Sequence, residues 1–200
     1  MRKASVKSEN LKDEICNVAL RLFSEKGYDA ANMSEIADIL GITRTPLYYY
    51  YSDKKCLYVE AIKKHLETKR NIYTNMAAET SGIFEWLRRH IEFACSNKSD
   101  IVLFNVFDRP EFEFLSDLND ETNRYVYALK RRRVQRAVET GELPPDIDID
   151  LFLYNIYVMS YGFIYVINES ILSSDLKSNP QKVTALIDLF LAEIKGLYGK

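Results

Sequence analysis

The chain of 200 residues carries 27 Lys and Arg residues against 29 Asp and Glu residues, a net charge of −2, and 47% of its residues are hydrophobic. This length suits one large or two small domains, and the apolar content is too high for a disordered chain. Seven glycines and five prolines are too few for a collagen-like or low-complexity sequence and disfavour a turn-rich all-β fold.

The N-terminal region predicts a first helix whose apolar residues recur with helical spacing. Ser8 or Asn10 is a candidate N-cap for it, and Gly27 is expected to end it because glycine tolerates a positive φ. The residues of its apolar face are Leu11, Ile15, Val18 and Leu22.

Two short helices follow. Asn32 and Glu35 have the spacing of a capping box, in which the Asn32 side chain accepts from a first-turn N–H and Glu35 reaches back. Gly41 ends this second helix after about two turns. Thr43 can cap a third helix over residues 44–50, with a proline in its first turn, where the missing N–H costs little.

The remaining segments are also helical in pattern, and period-2 alternation is not sustained anywhere. Helices are predicted over 54–75, after Gly82, over 100–109, from 120 or 122 to 140, over 149–172 and over 180–197. The sequence therefore predicts an all-α protein of about nine helices, with a three-helix domain over 1–53 and a larger helical domain over 54–200.

The second and third helices, joined by the short turn 41–43, have the form of a helix-turn-helix. The N-terminal turn of the third helix is polar and its N–H groups favour a phosphate. Arg44 can reach base edges, for which guanine O6 and N7 are the usual bidentate target. Leu47 and one or two of the tyrosines of this helix are expected to point inward, while Asn32 and Glu35 are expected to cap rather than to contact DNA.

The spacing of residues over 10–60 resembles the tetracycline-repressor (TetR) family of bacterial transcription regulators. The matching positions are Ala19, Leu22, Phe23, Lys26, Gly27, Tyr28 and Ala31, then Ile36, Ala37, Leu40, Gly41 and Ile42, then Leu47, Tyr48, Tyr49, Tyr50, Tyr51, Lys54 and Leu57. The resemblance implies a homodimeric repressor that binds a palindromic DNA operator and is released by a small molecule. Carried over position by position, it implies DNA contacts at Ser34, Thr43, Arg44, Thr45, Tyr48, Tyr49 and Lys54. It also implies that Leu47 and Tyr51 are core residues. Thr45–Pro46 departs from the more usual Gly followed by Thr or Ala.

The charge pattern predicts only modest nonspecific attraction to DNA. Residues 1–56 hold nine basic and eight acidic side chains, a net charge of +1. The basic run 130–133 fans around a helix, and solvated charge is the expected explanation for it.

The predicted helix 149–172 is hydrophobic nearly all round, so it is expected to be covered on every side. Four tyrosines form one stripe, for which core, interface and ligand pocket are the open alternatives; Ile156, Ser160, Phe163 and Ile167 form an opposite stripe. With the aromatic residues in the middle of the chain, the candidates for an apolar or aromatic effector are Trp86, Phe93, Phe104, Phe107, Tyr154, Tyr157, Tyr161 and Tyr165.

The last predicted helix has two faces. A bulky stripe suits the domain core and consists of Val183, Ile187, Phe190, Ile194 and Leu197. The second face carries small residues that let another helix approach closely. In the TetR family the last two helices form the dimer interface, and the candidate residues are Ala185, Leu189, Ala192 and Gly196.

Other classes of protein are disfavoured. The two histidines, His65 and His90, belong to no catalytic or metal-binding motif, so neither an enzyme nor a cofactor is expected. Three widely separated cysteines indicate a reducing compartment, and without an N-terminal apolar run a cytoplasmic location is expected. The uncharged segment 151–168 contains Asn155 and Ser160 and has no flanking Lys or Arg, which favours a protein helix over a membrane span. The alternative function is an all-α adaptor of the same fold without small-molecule control, which would not need the polar face around Arg44.

Overall fold

A computed structural model describes residues 2–96, 104, 106–168 and 173–199. Over these residues the chain forms α-helices, one 3-10 turn and no strand, so the predicted all-α class is confirmed. The helices are α1 (Arg2–Ala30), α2 (Met33–Leu40), α3 (Arg44–Tyr50), α4 (Lys54–Glu79), α5 (Ile83–Ser96), α6 (Glu113–Glu139), α7 (Ile149–Asn168), α8 (Ser173–Ser178) and α9 (Pro180–Tyr198).

Several boundaries differ from the predicted ones. Helix α1 begins at Arg2, so Ser8 and Asn10 lie inside it rather than capping it, and Gly27 with φ 79° interrupts it before its last residues. Helix α6 begins at Glu113, directly after a 3-10 turn that Pro110 starts, because the missing N–H of proline costs little in a first turn.

Two segments of the C-terminal half also differ from the sequence prediction. The short helix α8 was not predicted, since its six residues carry too little hydrophobic periodicity. Half of the predicted helix 100–109, namely 100–103 and 105, and the predicted end of α7 over 169–172 lie outside the described residues. Residues 106–108 form a turn instead of a helix.

The chain folds as two compact units. Unit 1 takes its residues from Met1–Lys69 and Ser99–Thr122, and unit 2 from Arg70–Lys98 and Asn123–Lys200. Helix α4 contributes its first part to unit 1 and the rest to unit 2. The functional division at residues 53 and 54 stays a prediction.

Unit 1 has an apolar core that draws on α1, α2, α3, α4 and the segment around the 3-10 turn. Its fully buried members include Ile15, Phe23, Ile36, Leu47, Tyr58 and Phe112. The rings of Tyr28, Tyr58 and Phe112 meet edge to face at centroid distances of 4.8–5.1 Å, a geometry that adds to the burial energy.

Unit 2 has a second core, built from α5, α6, α7 and α9. Its buried members include Trp86, Leu87, Val134, Phe152, Ile187 and Phe190. Helix α7 contacts α9 through Phe163 and Phe190, whose ring centroids lie 5.4 Å apart. The bulky stripe predicted for α9 is buried at Ile187, Phe190 and Ile194, whereas Leu197, predicted for the core, is 72% exposed.

Candidate functional site

The turn between α2 and α3 is set by local backbone chemistry. The Asn32 side chain accepts a 2.9 Å hydrogen bond from the N–H of Glu35 and caps α2, as predicted. The Glu35 carboxylate pairs with Lys26 of α1. The predicted second bond of the capping box, in which Glu35 reaches back to the start of α2, is therefore not the interaction that Glu35 makes. Gly41 closes α2 at φ 64°, and the N–H of Ile42 donates to the carbonyl of Ala37. The helix-turn-helix is therefore anchored at both ends of α2.

Helix α3 is held by two buried side chains on its inner side. Leu47 is fully buried and Tyr51, directly after the helix, is 1% exposed, so both are core residues as predicted. The Tyr51 hydroxyl lies 2.9 Å from the Sγ of Cys16 on α1. Burial raises the pKa of Tyr51 above its ordinary value, so the phenol stays protonated at neutral pH.

The outer side of α3 is exposed and polar. Thr43, Arg44 and Thr45 are exposed, Tyr48 is 48% exposed and Tyr49 is 80% exposed. Ser34, near the start of α2, is half-buried. The structure thus brings six of the seven candidate DNA contacts to the helix-turn-helix with at least part of each side chain accessible.

Lys54 occupies a different environment from the other candidates. Its ammonium donates to the carbonyl oxygens of Tyr28, Asp29 and Ala31 at 2.9, 3.2 and 3.1 Å, and lies 4.5 Å from the centroid of the Tyr28 ring. The cation therefore satisfies carbonyl groups at the end of α1, where positive charge is favourable. Its predicted contact with DNA stays a prediction, and these bonds give it a structural role that sequence reasoning did not identify.

Several charges of unit 1 are paired within the unit. Lys64 bonds Asp13 at 2.8 Å, and Arg109 makes a two-pronged contact with Asp29. The Arg109 guanidinium holds the pKa of Asp29 below its usual range by hydrogen bonding. These pairs engage basic side chains of unit 1 that could otherwise contact a polyanion.

Unit 2 contains a partly open, mostly apolar cavity of about 200 Å³. It lies among α5, α6 and α7, and its lining residues are Trp86, His90, Tyr127, Lys130, Leu153, Tyr154, Ile156 and Tyr157. Three of the eight aromatic residues predicted to bind the effector line this cavity, namely Trp86, Tyr154 and Tyr157.

The other five candidates lie elsewhere. Phe104 and Phe107 stack at 4.6 Å and belong to the core of unit 1. Phe93 packs edge to face on Tyr73 in unit 2 at 5.6 Å. Tyr161 and Tyr165 lie further along α7, at 47% and 61% exposure.

Sequence reasoning missed the polar groups of the cavity. The His90 ring stacks on Trp86 with an interplanar angle of 8°, and its Nδ1 lies 3.2 Å from the Tyr73 hydroxyl. Burial, with the charge of Lys130 as a smaller cause, lowers the pKa of His90 well below its ordinary value, so the ring is neutral. The spacing of Trp86 and His90, four residues apart on one helix face, was the available signal.

In the basic run 130–133, Arg131 and Arg132 are exposed, as predicted for solvated charge, whereas the prediction is wrong for Arg133. Lys130 lines the cavity, and Arg133 is only 6% exposed, with a Glu142 oxygen 4.0 Å away. Burial lowers the pKa of Arg133 below its ordinary value. Its Nε and one terminal nitrogen are buried without a hydrogen-bond partner among the described residues, so Glu142 is the nearby carboxylate that compensates the charge.

One apolar surface of unit 2 is uncovered. On α7 the side chains of Leu151, Tyr154, Tyr157, Val158 and Tyr165 are 55–65% exposed, whereas the opposite stripe containing Ile156 and Ser160 is buried. The expectation that α7 is covered on every side is therefore wrong for the single chain. Within the part that the structure describes, Ile149–Ile167 has the length and apolarity of a membrane span, a test that core helices of soluble proteins also pass.

The corresponding side of α9 is exposed as well. The four candidate interface residues Ala185, Leu189, Ala192 and Gly196 are all exposed, with Leu189 at 65%. Outside α9 itself, no atom of the described residues lies within 4 Å of the place that a side-chain Cβ at position 196 would take. The two neighbouring helices α7 and α9 therefore both present uncovered apolar surface, which we call the α7–α9 face.

These features define a class of protein: a small helix-turn-helix domain followed by a larger helical domain with an internal cavity. The family described as "Bacterial regulatory proteins, tetR family" matches residues 15–61. The negative transcriptional regulator IcaR of the biofilm operon icaADBC from Staphylococcus aureus (strain Newman) is 39% identical over 62 residues, which are 31% of this chain and 33% of that protein. The chain thus spans about a third of the length of the curated relatives it matches first. The repressor KstR2 of Mycolicibacterium smegmatis is 24% identical over 152 residues, 70% of this chain and 71% of that protein.

Solved structures share the fold over nearly the whole chain. KstR2 of Mycobacterium tuberculosis is 19% identical with a TM-score of 0.64, and the match covers 94% of this chain and 95% of that one. A transcriptional regulator from Saccharomonospora viridis, solved in complex with choline, is 16% identical with a TM-score of 0.72, covering 96% and 99%. The match to the TetR family of regulatory proteins thus covers residues 15–61, and the likeness to the solved regulators shows a shared fold over nearly the whole chain.

Proposed function

We propose that the protein is a cytoplasmic, DNA-binding transcriptional repressor that binds a palindromic operator as a homodimer and is released by a small apolar or aromatic effector. The proposal of DNA binding is supported by the two different sides of α3. Leu47 and Tyr51 fix the inner side in the core, while Thr43, Arg44 and Thr45 are exposed. The relatives named as a negative regulator and as a repressor support repression rather than activation.

The recognition chemistry follows from the residue types on the exposed side of α3. The Arg44 guanidinium suits bidentate binding to a guanine in the major groove. The hydroxyls of Thr43, Thr45, Tyr48 and Tyr49 suit phosphate oxygens, which position the helix without reading sequence. Because basic side chains such as Lys26 and Lys64 are paired with carboxylates, we expect a shallow dependence of operator affinity on salt.

The α7–α9 face supports dimerisation. Contiguous exposed apolar surface on a soluble protein marks an interaction site, and aromatic residues are enriched in interface cores. A two-fold dimer presents two copies of α3. Its operator should therefore contain two half-sites whose centres are separated by whole turns of DNA. This spacing is the quantity that an effector must alter to release the operator.

The effector part of the proposal is supported by the cavity in unit 2. An effector releases DNA when it favours the dimer state whose α3 helices have the wrong spacing, because a ligand shifts an equilibrium only by its differential affinity for the two states. A coupling free energy of about 1–3 kcal/mol weakens operator binding by roughly 5–150-fold. If Tyr154 or Tyr157 contacts the effector, its phenol deletion should alter the effector response while leaving operator affinity intact.

The experiment that tests DNA binding begins with selection of DNA from a random pool by the wild-type protein. Arg44→Ala should then lower affinity for the selected sequence by about 1–3 kcal/mol and relax preference at one base pair of each half-site. Arg132→Ala removes the same charge from an exposed position of unit 2 and serves as the control, with unchanged affinity. A pool without an enriched sequence, or wild-type affinity in the Arg44 variant, would contradict the assignment of α3 as the recognition helix and favour the adaptor.

A further inference from the structure

The wall of the cavity in unit 2 is unevenly covered. Among the described residues that line it, Tyr154 and Tyr157 are the two exposed ones, at 59% and 55%. Trp86, Leu153 and Ile156, by contrast, are at most 4% exposed. The floor of the cavity is therefore shielded by the core of unit 2, and the wall is least covered at the two tyrosines on the outer side of α7.

The same two tyrosines belong to the α7–α9 face. Together with Val158 and Tyr165 they recur at helical spacing, which places all four side chains on one side of α7. The Tyr154 ring also stacks on Tyr127 of α6, with the centroids 6.4 Å apart. Tyr154 thus forms part of the cavity wall and part of an uncovered apolar surface at once.

The extent and charge of this face suit a second copy of the chain. Tyr154, Tyr157 and Tyr165 are 55–61% exposed, and because an aromatic side chain has about 150–250 Å² to bury, these three alone leave roughly 250–450 Å² uncovered. Leu189 on α9 adds further apolar area, and an interface of ordinary size buries about 800 Å² on each partner. Residues 151–168 carry no charge, so a partner covers this part of α7 without burying an ion, as in the cores of known interfaces.

We propose that the effector cavity is completed by the second copy of the chain, which covers Tyr154 and Tyr157 in the dimer and closes the cavity on its outer side. This inference rests on the proposed function, and it assigns the regulation of the same site. A ligand in the closed cavity is removed from water on all sides and contacts wall atoms that are fixed in place. The ligand should therefore bind the dimer more tightly than the single chain. By linkage, the ligand strengthens the dimer by the same factor at each site.

The coupling has a consequence for release of the operator. An effector that binds the closed cavity stabilises the dimer, so it does not release DNA by separating the two copies. Release then depends on a change within the intact dimer, in the spacing of the two α3 helices, because a ligand favours the state that it binds more tightly.

The test uses toluene as a neutral probe with one ring. An engineered protein cavity of about 150 Å³ accommodates benzene, and the cavity in unit 2 has about 200 Å³. Calorimetry measures the affinity of toluene for the wild type and for Ala192→Glu, in which the added charge on α9 should prevent dimerisation. We expect binding to the monomeric variant to be weaker by at least about tenfold. Equal affinities of monomer and dimer, or no binding of toluene to the dimeric wild type, would overturn the proposal.

Matched variants separate loss of the dimer from damage to the cavity. Leu189→Glu is a second charge substitution on the exposed side of α9 and should weaken toluene binding as Ala192→Glu does. Asn75→Glu adds the same charge at an exposed position of unit 2 on α4 and should bind toluene like the wild type. Trp86 is the single tryptophan of the chain, so its fluorescence during urea denaturation verifies that unit 2 is folded in each variant.

Dilution provides a monomer without any substitution. Wild-type protein diluted below the dissociation constant of its dimer should bind toluene as weakly as Ala192→Glu does. In the reverse experiment, sedimentation gives the dissociation constant of the dimer with and without saturating toluene. With two sites that each gain tenfold, this constant should fall by about a hundredfold. A dimer that toluene weakens or leaves unchanged would overturn the coupling.

Failure of this inference is distinguishable from failure of the proposed function. A dimeric wild type whose affinity for toluene is the same after dilution contradicts closure of the cavity by the partner, and leaves the dimeric repressor in place. A wild type that sediments as a monomer at every concentration contradicts both the closure and the proposed homodimer. The comparison of Arg44→Ala with the wild type on selected DNA tests the recognition helix in either case.

Discussion

The hydroxyl oxygen of Tyr51 lies 2.9 Å from Sγ of Cys16, inside the core of unit 1. The two residues are 35 positions apart, so their contact ties the end of α3 to α1. Burial raises the pKa of Cys16 above its usual range and that of Tyr51 likewise, which keeps both groups protonated and able to hydrogen-bond.

Removal of the Tyr51 hydroxyl should destabilise unit 1. We expect Tyr51→Phe to lower the free energy of unfolding by about 0.5–1.5 kcal/mol, the usual net value of one hydrogen bond. Urea denaturation followed by circular dichroism measures this change. Tyr49→Phe deletes an exposed hydroxyl on α3, two residues before Tyr51, and is the control for stability. A double-mutant cycle with Cys16→Ala isolates the pair, and a coupling energy of zero would show that the contact contributes nothing.

Lys54 should act on stability rather than on DNA phosphates. Lys54→Met removes the donor shared by three carbonyl groups at the end of α1, so we expect a loss of about 1–3 kcal/mol in the free energy of unfolding. The slope of log affinity for the selected DNA against log salt should stay unchanged. Lys55→Met, at the exposed neighbouring position, should change stability by less than about 0.5 kcal/mol. A salt slope reduced by about one in the Lys54 variant would instead identify a phosphate contact.

The α7–α9 face should govern oligomeric state. Ala192→Glu places a charge on the exposed small-residue side of α9, opposite its own symmetry mate in a two-fold dimer. We expect the variant to sediment as a monomer and the wild type as a dimer. Asn75→Glu adds the same charge at an exposed position of α4 in unit 2 and should remain dimeric. An unchanged mass for the Ala192 variant would place the interface on another surface.

His90 should make the stability of unit 2 depend on pH. Because its pKa is lowered in the folded chain, the unfolded chain binds a proton more readily once the pH falls below about 6.5, the ordinary value. The contribution of His90 is fully present above that pH and is lost as the pH falls, by at most about 1.4 kcal/mol per pH unit. Trp86 fluorescence during urea denaturation at several pH values measures the slope.

The two histidines provide a matched control for this dependence. His90→Gln should lower the slope of the free energy of unfolding against pH by the contribution of one proton. His65→Gln, at a half-buried position of unit 1, should leave the slope for unit 2 unchanged. Identical slopes in wild type and the His90 variant would show that His90 titrates normally in the folded chain.

Local sequence patterns determined the all-α class and the helix-turn-helix. The cap at Asn32, the left-handed turn at Gly41 and the inward position of Leu47 follow from hydrogen bonds and periodicity among near neighbours, and near neighbours are visible in a sequence. The inward position of Tyr51 was predicted from the family resemblance. The small residues on one side of α9 could be identified from the sequence for the same reason. The family resemblance then rested on residues within this local framework.

Only the tertiary structure decided which groups meet from distant parts of the chain. Lys54 finds carbonyl groups about 25 residues away because the end of α1 packs beside the start of α4. Likewise, Lys130 and His90 meet Trp86, Tyr154 and Tyr157 around one cavity, while Phe104 and Phe107 enter the core of the other unit. An aromatic residue has the same helical periodicity in a core, at a cavity wall or on an uncovered face. Its environment depends on which helices pack against it, and that packing depends on long-range contacts that a one-dimensional pattern does not contain.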